Sequence, residues 1–208
     1  SFDNSVALNN KGQVAFIASL VAGGRGVFVS DGTTTTTIAL TSGPQVSNIE
    51  FFRPDLNDNG LVVFRAFNEA GLRAVFVGDG NDLIEVATQN DVVEIDLGEA
   101  QISENNPGDP SFGGSPAINK RGDVVFNAAL IPVGNPAVEY GSGVFVVHAA
   151  ANLPGDTNGD GVVNFLDLNT VLSQFGQSGA GLAGDLDGNG VVNFLDLNEV
   201  LSNFGAQR

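Results

Sequence analysis

The sequence predicts a mainly β chain: tandem β-meander repeats followed by a small C-terminal α domain of paired loop–helix units. Three observations carry this prediction. Glycine is frequent, with 28 of 208 residues, while charged residues make up only 15%, a turn-rich composition. Three segments of the first 148 residues share an N-x-x-G-x-x-x-F core. Residues 156–176 (DTNGDGVVNFLDLNTVLSQFG) and 185–205 (DLDGNGVVNFLDLNEVLSNFG) are near copies of each other.

The β repeats come first. Their cores are ALNNKGQVAFIASL (7–20), DLNDNGLVVFRAF (55–67) and AINKRGDVVFNAAL (117–130). The recurring Asn (Asn9 or Asn10, Asn57, Asn119) and Gly (Gly12, Gly60, Gly122) are turn residues leading into a Phe-bearing strand. Phe16, Phe64 and Phe126 are expected to point inward, together with Phe28, Phe76 and Phe145. A second apolar strand follows each core: 26–30, 74–78 and 143–147. Asp31–Gly32 and Asp79–Gly80 then predict tight hairpins of the primed type. The return strands are TTTTTIAL (33–40), a β-branched run, and DLIEVAT (82–88).

The repeats divide the domain at about 1–48, 49–110 and 111–148, before a linker at 149–155 and the small domain at 156–208. The third repeat stops early: after GVFVV come His148 and the linker, where a return strand is due. An unpaired edge is expected there, and soluble proteins protect such edges. Two explanations stand. The segment 91–103 closes an open β stack, or a neighbouring subunit supplies the strand, a head-to-tail contact that can run on into a filament.

The duplicated segments carry the clearest chemistry. The first copy aligns the side chains of Asp156, Asn158, Asp160 and Asp167 and the carbonyl of Val162, with Asn164 helping directly or through water. The second offers Asp185, Asp187, Asn189 and Asp196, with Val191 and Asn193 in the matching places. Oxygens at alternate positions of a twelve-residue loop suit calcium, which takes six to eight of them. Gly161 and Gly190 hold the sixth position, where the loop turns sharply. Both loops end in Asp, where the common EF-hand has Glu. Two such loops predict two calcium ions. A helix should start near Asp167 and bury Leu168, Val171, Leu172 and Phe175 before Gly176; its copy should bury Leu197, Val200, Leu201 and Phe204 before Gly205. Neither unit can make a core alone, so metal binding and folding are coupled.

Residues 155–205 resemble a type I dockerin, a family with two Asp-ended calcium loop–helix repeats that docks onto cohesin domains in extracellular assemblies. In that family the tenth and eleventh loop positions shape partner recognition, often as a hydroxyl pair. Here they are Phe165–Leu166 and Phe194–Leu195, the candidate partner surface. The two phenylalanines suit the core better, whereas Leu166 and Leu195 suit core and partner surface equally. Residues 5–148 resemble the N-x-x-G-x-x-A-F tandem repeats of bacterial surface proteins, which implies a propeller-like architecture. Asn9 to Phe16 carries the full motif, and Val63 and Val125 replace its Ala. Propellers have four or more blades; three are found here.

Composition narrows the function. The net charge is −16, with no basic stripe to meet phosphates, so nucleic acid is not an expected partner. No run is long enough to insert in a membrane. There is no Cys, which excludes disulfides, and one His, so no nucleophilic triad is expected. His148 reads as a spectator. Asp55, Asp58, Asp123 and Glu139 sit at turns rather than as paired catalytic carboxylates. Arg121–Gly122–Asp123 lies within a repeated turn, and its likeness to an adhesion tripeptide reads as coincidence. The chain starts at Ser1, which fits a processed, secreted product. The reading is a non-enzymatic, extracellular or cell-surface calcium-binding assembly protein whose partner is another copy or a cohesin-like domain. The alternative is a carbohydrate-active enzyme or carbohydrate-binding module of a multienzyme complex. One Tyr and no Trp weigh against a carbohydrate platform.

Overall fold

A computed structural model describes residues 2–104, 110–148, 154–158, 162–179 and 181–206. The chain divides into two compact units, Ser1–His148 and Ala149–Arg208. It is mainly β, in antiparallel sheets, with two C-terminal helices.

The first unit holds three sheets in chain order. The first is the meander β1 (Phe2–Leu8), β2 (Val14–Ser19), β3 (Arg25–Ser30) and β4 (Thr35–Leu40). In the second, β5 (Val46–Ile49) and β6 (Asp55–Leu56) share one edge of β7 (Val62–Asn68), and β8 (Arg73–Gly78) and β9 (Leu83–Thr88) follow on the other side. The third adds a hairpin, β10 (Val92–Ile95) and β11 (Gly98–Ile102). There β11 and β12 (Phe112–Ile118) share one edge of β13 (Val124–Pro132), and β14 (Gly141–Val147) lies on the other. Each sequence repeat thus becomes one sheet, except that β5, at the end of the first repeat, joins the second sheet, and 92–102 joins the third rather than the second. Ile102 opposite Leu130 places that hairpin beside the longest strand. Among the described residues β14 pairs with β13 alone, and no sheets close into a ring.

The phenylalanines fall opposite one another across each sheet: Phe16 with Phe28, Phe64 with Phe76, Phe126 with Phe145. Their rings stack with centroids 5.6, 5.7 and 5.7 Å apart. Because side chains alternate along a strand, each sheet has a phenylalanine face and an opposite face of smaller residues. Phe64 and Phe76 pack with Ala15, Ile17 and Val27 of the first sheet. Phe126 and Phe145 pack with Val63, Val75 and Val77 of the second. The inward placement expected for Phe16 and Phe28 does not hold: they are only half-buried. They occupy the outer face of the first sheet, on the side away from the second.

The repeated turns also join the sheets. Asn9 Oδ1 accepts the N–H groups of Lys11 and Gln13, Asn57 Oδ1 those of Asn59 and Leu61, and Asn119 Oδ1 those of Arg121 and Asp123. The amide ends bridge between repeats: Asn9 Nδ2 donates to the Asn57 carbonyl and Asn57 Nδ2 to the Asn119 carbonyl, each at 3.0 Å. The Asp–Gly hairpins differ from the expected primed turn. A primed turn of that type needs positive φ at both central residues, but only Gly32 (φ 90°) and Gly80 (φ 99°) have it, not their aspartates. Instead Asp31 Oδ1 accepts the N–H of Thr33 and Thr34, and Asp79 Oδ1 that of Asn81 and Asp82. Those hydrogen bonds hold the Asp31 carboxyl down at about 2, the Thr34 N–H contributing most.

One charged network lies inside. Arg65, 1% exposed along its side chain, pairs with Glu50 at 2.7 Å and donates to the Gly114 carbonyl of the third sheet at 2.8 Å. Glu50 also pairs with Arg73, which meets Glu104. The Arg65 guanidinium lies 3.9 Å from the Phe52 ring centre.

Candidate metal centre

The second unit is built on two helices, α1 (Phe165–Gln174) and α2 (Phe194–Ser202). Both start two residues earlier than Asp167 and its counterpart predict, because the preceding asparagine caps them. Asn164 Oδ1 accepts the Leu166 N–H at 2.7 Å and Asn193 Oδ1 the Leu195 N–H at 2.8 Å. Asp167 and Asp196 return the bond to the cap backbone, a reciprocal capping box that satisfies helix-end amides. Both asparagines thereby hold the loop to the helix.

The last loop carboxylate is the organising group. Asp196 is fully buried. Its Oδ1 accepts the N–H of Leu186 (2.8 Å) and Asp187 (3.3 Å), and its Oδ2 that of Asn193 (2.8 Å). In the first loop Asp167 is equally buried, with Oδ1 accepting from the Thr157 N–H and hydroxyl and Oδ2 from the Asn164 N–H. Burial works against ionisation of Asp167, but the donors of Asn164 and Thr157 outweigh it and hold the carboxyl below its ordinary range.

In the second loop the carboxylates of Asp185, Asp187 and Asp196 converge, with one oxygen from each within 4.8 Å of the others. Asp185 accepts the N–H of Asn189 and Gly190, so the loop wraps around its first residue, and Gly190 takes φ 87° at the turn. Asn189 Oδ1 accepts the Val191 N–H. In the first loop Asp156 is buried, Asn158 exposed and Val162 half-buried, while Asp160 and Gly161 lie outside the described residues. Residues 149–207 contain no Lys, Arg or His. Three carboxylates this close repel one another strongly unless a cation sits between them. An all-oxygen donor set without His or Cys fits a hard cation such as calcium.

The packing beneath the loops crosses between repeats. Val163, Val171, Val192 and Val200 form a fully buried core, with Leu168, Leu182, Leu186 and Leu197 against it. The Val163 N–H donates to the Ala206 carbonyl at 2.9 Å, and the Val192 N–H to the Gln177 carbonyl at 3.0 Å. Each loop is thus tied to the end of the other repeat. The expected helix stripe is narrower than predicted, since Leu172, Phe175, Leu201 and Phe204 are exposed. The early helix start turns positions 10 and 11 outward, which corrects the core expectation for the phenylalanines. Phe165 is 74% exposed and Phe194 72%, beside exposed Leu166 and Leu195. Phe165 meets Phe204 edge-on at 5.0 Å, and Phe194 meets Phe175 likewise at 5.0 Å.

Three of the four turn acids named from sequence are occupied structurally, while Glu139 is exposed. Asp58 accepts two bonds from Asn10, Asp55 accepts the Ile118 N–H, and Asp123 pairs with Arg121. His148 is exposed, 3.4 Å from Asp123. No helix is long and apolar enough to cross a membrane among the described residues. No curated protein and no solved structure matches the chain. Residues 154–204 match the family model of the dockerin type I domain, a family of calcium-binding modules for protein–protein assembly that bind cohesin.

Proposed function

We propose that this chain is a non-enzymatic subunit of an extracellular or cell-surface assembly, attached through its C-terminal unit once two calcium ions are bound. The first ion is held by Asp156, Asn158, Asp160, the Val162 carbonyl and Asp167; the second by Asp185, Asp187, Asn189, the Val191 carbonyl and Asp196. Asn164 and Asn193 contribute through water while capping the helices. The single observation carrying the reading is the convergence of Asp185, Asp187 and Asp196 within a stretch, residues 149–207, that has no Lys, Arg or His. Calcium removes the repulsion and sets the angle between loop and helix. The docking surface is then the exposed pair Phe165–Leu166 on one repeat and its copy Phe194–Leu195 on the other. These are large apolar groups of the kind that mark interaction sites, and the partner is a protein surface with apolar pockets, of cohesin type. The propeller-like β unit is the subunit presented to the assembly, and the outer edge of β14 is a second place where a strand can add.

The test is calorimetric binding of a type I cohesin module to the full chain. Because the two repeats present near-identical faces, Leu166→Glu and Leu195→Glu are combined. Tight binding with calcium, no binding with chelator and at least about a hundredfold loss in the double variant are expected. Binding that survives chelation or both substitutions contradicts the docking surface.

A further inference from the structure

The three sheets of the first unit are stacked with one polarity, and both ends of the stack are open. The phenylalanine face of the second sheet covers the small-residue face of the first, and that of the third covers the second. This leaves a phenylalanine face on the first sheet and a small-residue face on the third. Equivalent positions make the point. Val27 and Val75 are 0% exposed beneath the next sheet, whereas their counterpart Val144 is 72% exposed. On the other face Leu56 is 6% and Ile118 9% exposed, whereas Leu8, the counterpart in the first sheet, is 69% exposed. The register of the three valines is the same throughout: each lies three residues before its strand end, Val27 opposite Ile17, Val75 opposite Arg65 and Val144 opposite Asn127.

The asparagine ladder is interrupted at the same ends. Asn57 and Asn119 each accept, at their carbonyl, an amide from the preceding repeat. The Asn9 carbonyl accepts the Gly12 N–H of its own turn, and no preceding repeat reaches it among the described residues. Asn119 Nδ2 donates to Asp123 of its own turn at 2.7 Å, while Asn9 Nδ2 makes the equivalent bond to Gln13 and also the rung to the next repeat. Asn119 therefore has one amide hydrogen left for a rung.

We infer that a second copy of this chain stacks head to tail on the first, its phenylalanine face around Leu8 covering Val125, Val144 and Val146, with Asn119 Nδ2 reaching the second copy's Asn9 carbonyl. The occupant follows from continuity: the interface is the one already made twice within the chain, with valines at the matching positions of β3, β8 and β14. It is heterologous, so it propagates or closes into a ring; two copies closing on each other give six sheets, within the range of ring-closed propellers. The first unit carries 17 acids and 7 bases, so like charge opposes the contact and salt strengthens it. The inference deepens the assembly reading, rests on a surface outside the calcium unit, and fails or stands separately from it.

Sedimentation velocity of the full chain, in chelator to silence the calcium unit and at moderate salt, tests it. The chain is expected to self-associate with rising concentration. Leu8→Glu and Val144→Glu, both at exposed positions and each checked for an unchanged melting curve, should each weaken association at least about tenfold. Mixed, they should form a one-to-one dimer, since each retains the face the other lacks. A chain monomeric at all concentrations, association indifferent to both substitutions, or variants that stay monomeric when mixed would each overturn it. Calcium titration of the same variants should be unchanged, which separates this surface from docking.

Discussion

At the scale of single residues, the asparagines and the loop-ending aspartates do similar work: one side chain gathers several backbone amides and so fixes a turn. Asn57 closes its own turn with two accepted bonds and reaches the third sheet with a donated one. Asn57→Ala should therefore cost about 2–3 kcal/mol in urea unfolding, given roughly 1 kcal/mol per lost bond and more where a buried partner is left unmet. Asn119→Ala also loses three bonds, but its Nδ2 bond to Asp123 is exposed where the Asn57 rung is part-buried, so it should cost less. Equal losses would mean that the rung contributes no more than an exposed turn bond. The turn role of these residues is legible in the sequence, because Asn-x-x-Gly has a local logic. The ladder is not, because nothing in one repeat's composition says that its amide will meet a carbonyl 48 residues away. The same limit explains Phe165 and Phe194. Their hydrophobicity points to a core, and only the early helix start at the capping asparagine turns them outward.

At the scale of elements, the repeats are visible as sheets because the paired phenylalanines mark two neighbouring strands of each, β2 and β3, β7 and β8, β13 and β14. The first strands are harder to see. β5 and β6 are four and two residues long, and the 92–102 hairpin joins the sheet that follows it. What locks the second sheet to the third is partly ionic. Glu50 lies against both Arg65 and Arg73, and Arg65 spans to Gly114. Removing one partner of a buried ion pair leaves the other uncompensated, at a cost of about 3–5 kcal/mol. Glu50→Ala should lower stability by that amount in chemical denaturation. A loss below about 1 kcal/mol would show that solvent reaches Arg65 readily enough to replace the carboxylate. Arg65→Met should be better tolerated than Glu50→Ala only when combined with it, since an apolar pair can replace a buried ionic one.

At the scale of the whole molecule, the chain joins a unit held by sheet stacking to one held by charge that needs a cation. The acidic balance bears on both: residues 149–208 carry seven acids and one base. The metal unit is the most legible part of the sequence, because ligand spacing, glycine position and duplication all constrain one another over 21 residues. Its cross-repeat bonds at Val163 and Val192 are less so, since they depend on how two helices come together. Calcium bound to the folded state alone stabilises it by mass action, so every consequence of the docking reading follows from occupancy of these loops. The most direct measurement is calcium titration of the chelator-treated full chain by calorimetry, beside Asp196→Ala. The account predicts two ions bound by the parent chain and loss of the second site, with helix α2 loosened, in the variant. A chain that takes up no calcium, or an Asp196→Ala chain that binds as the parent does, would contradict it.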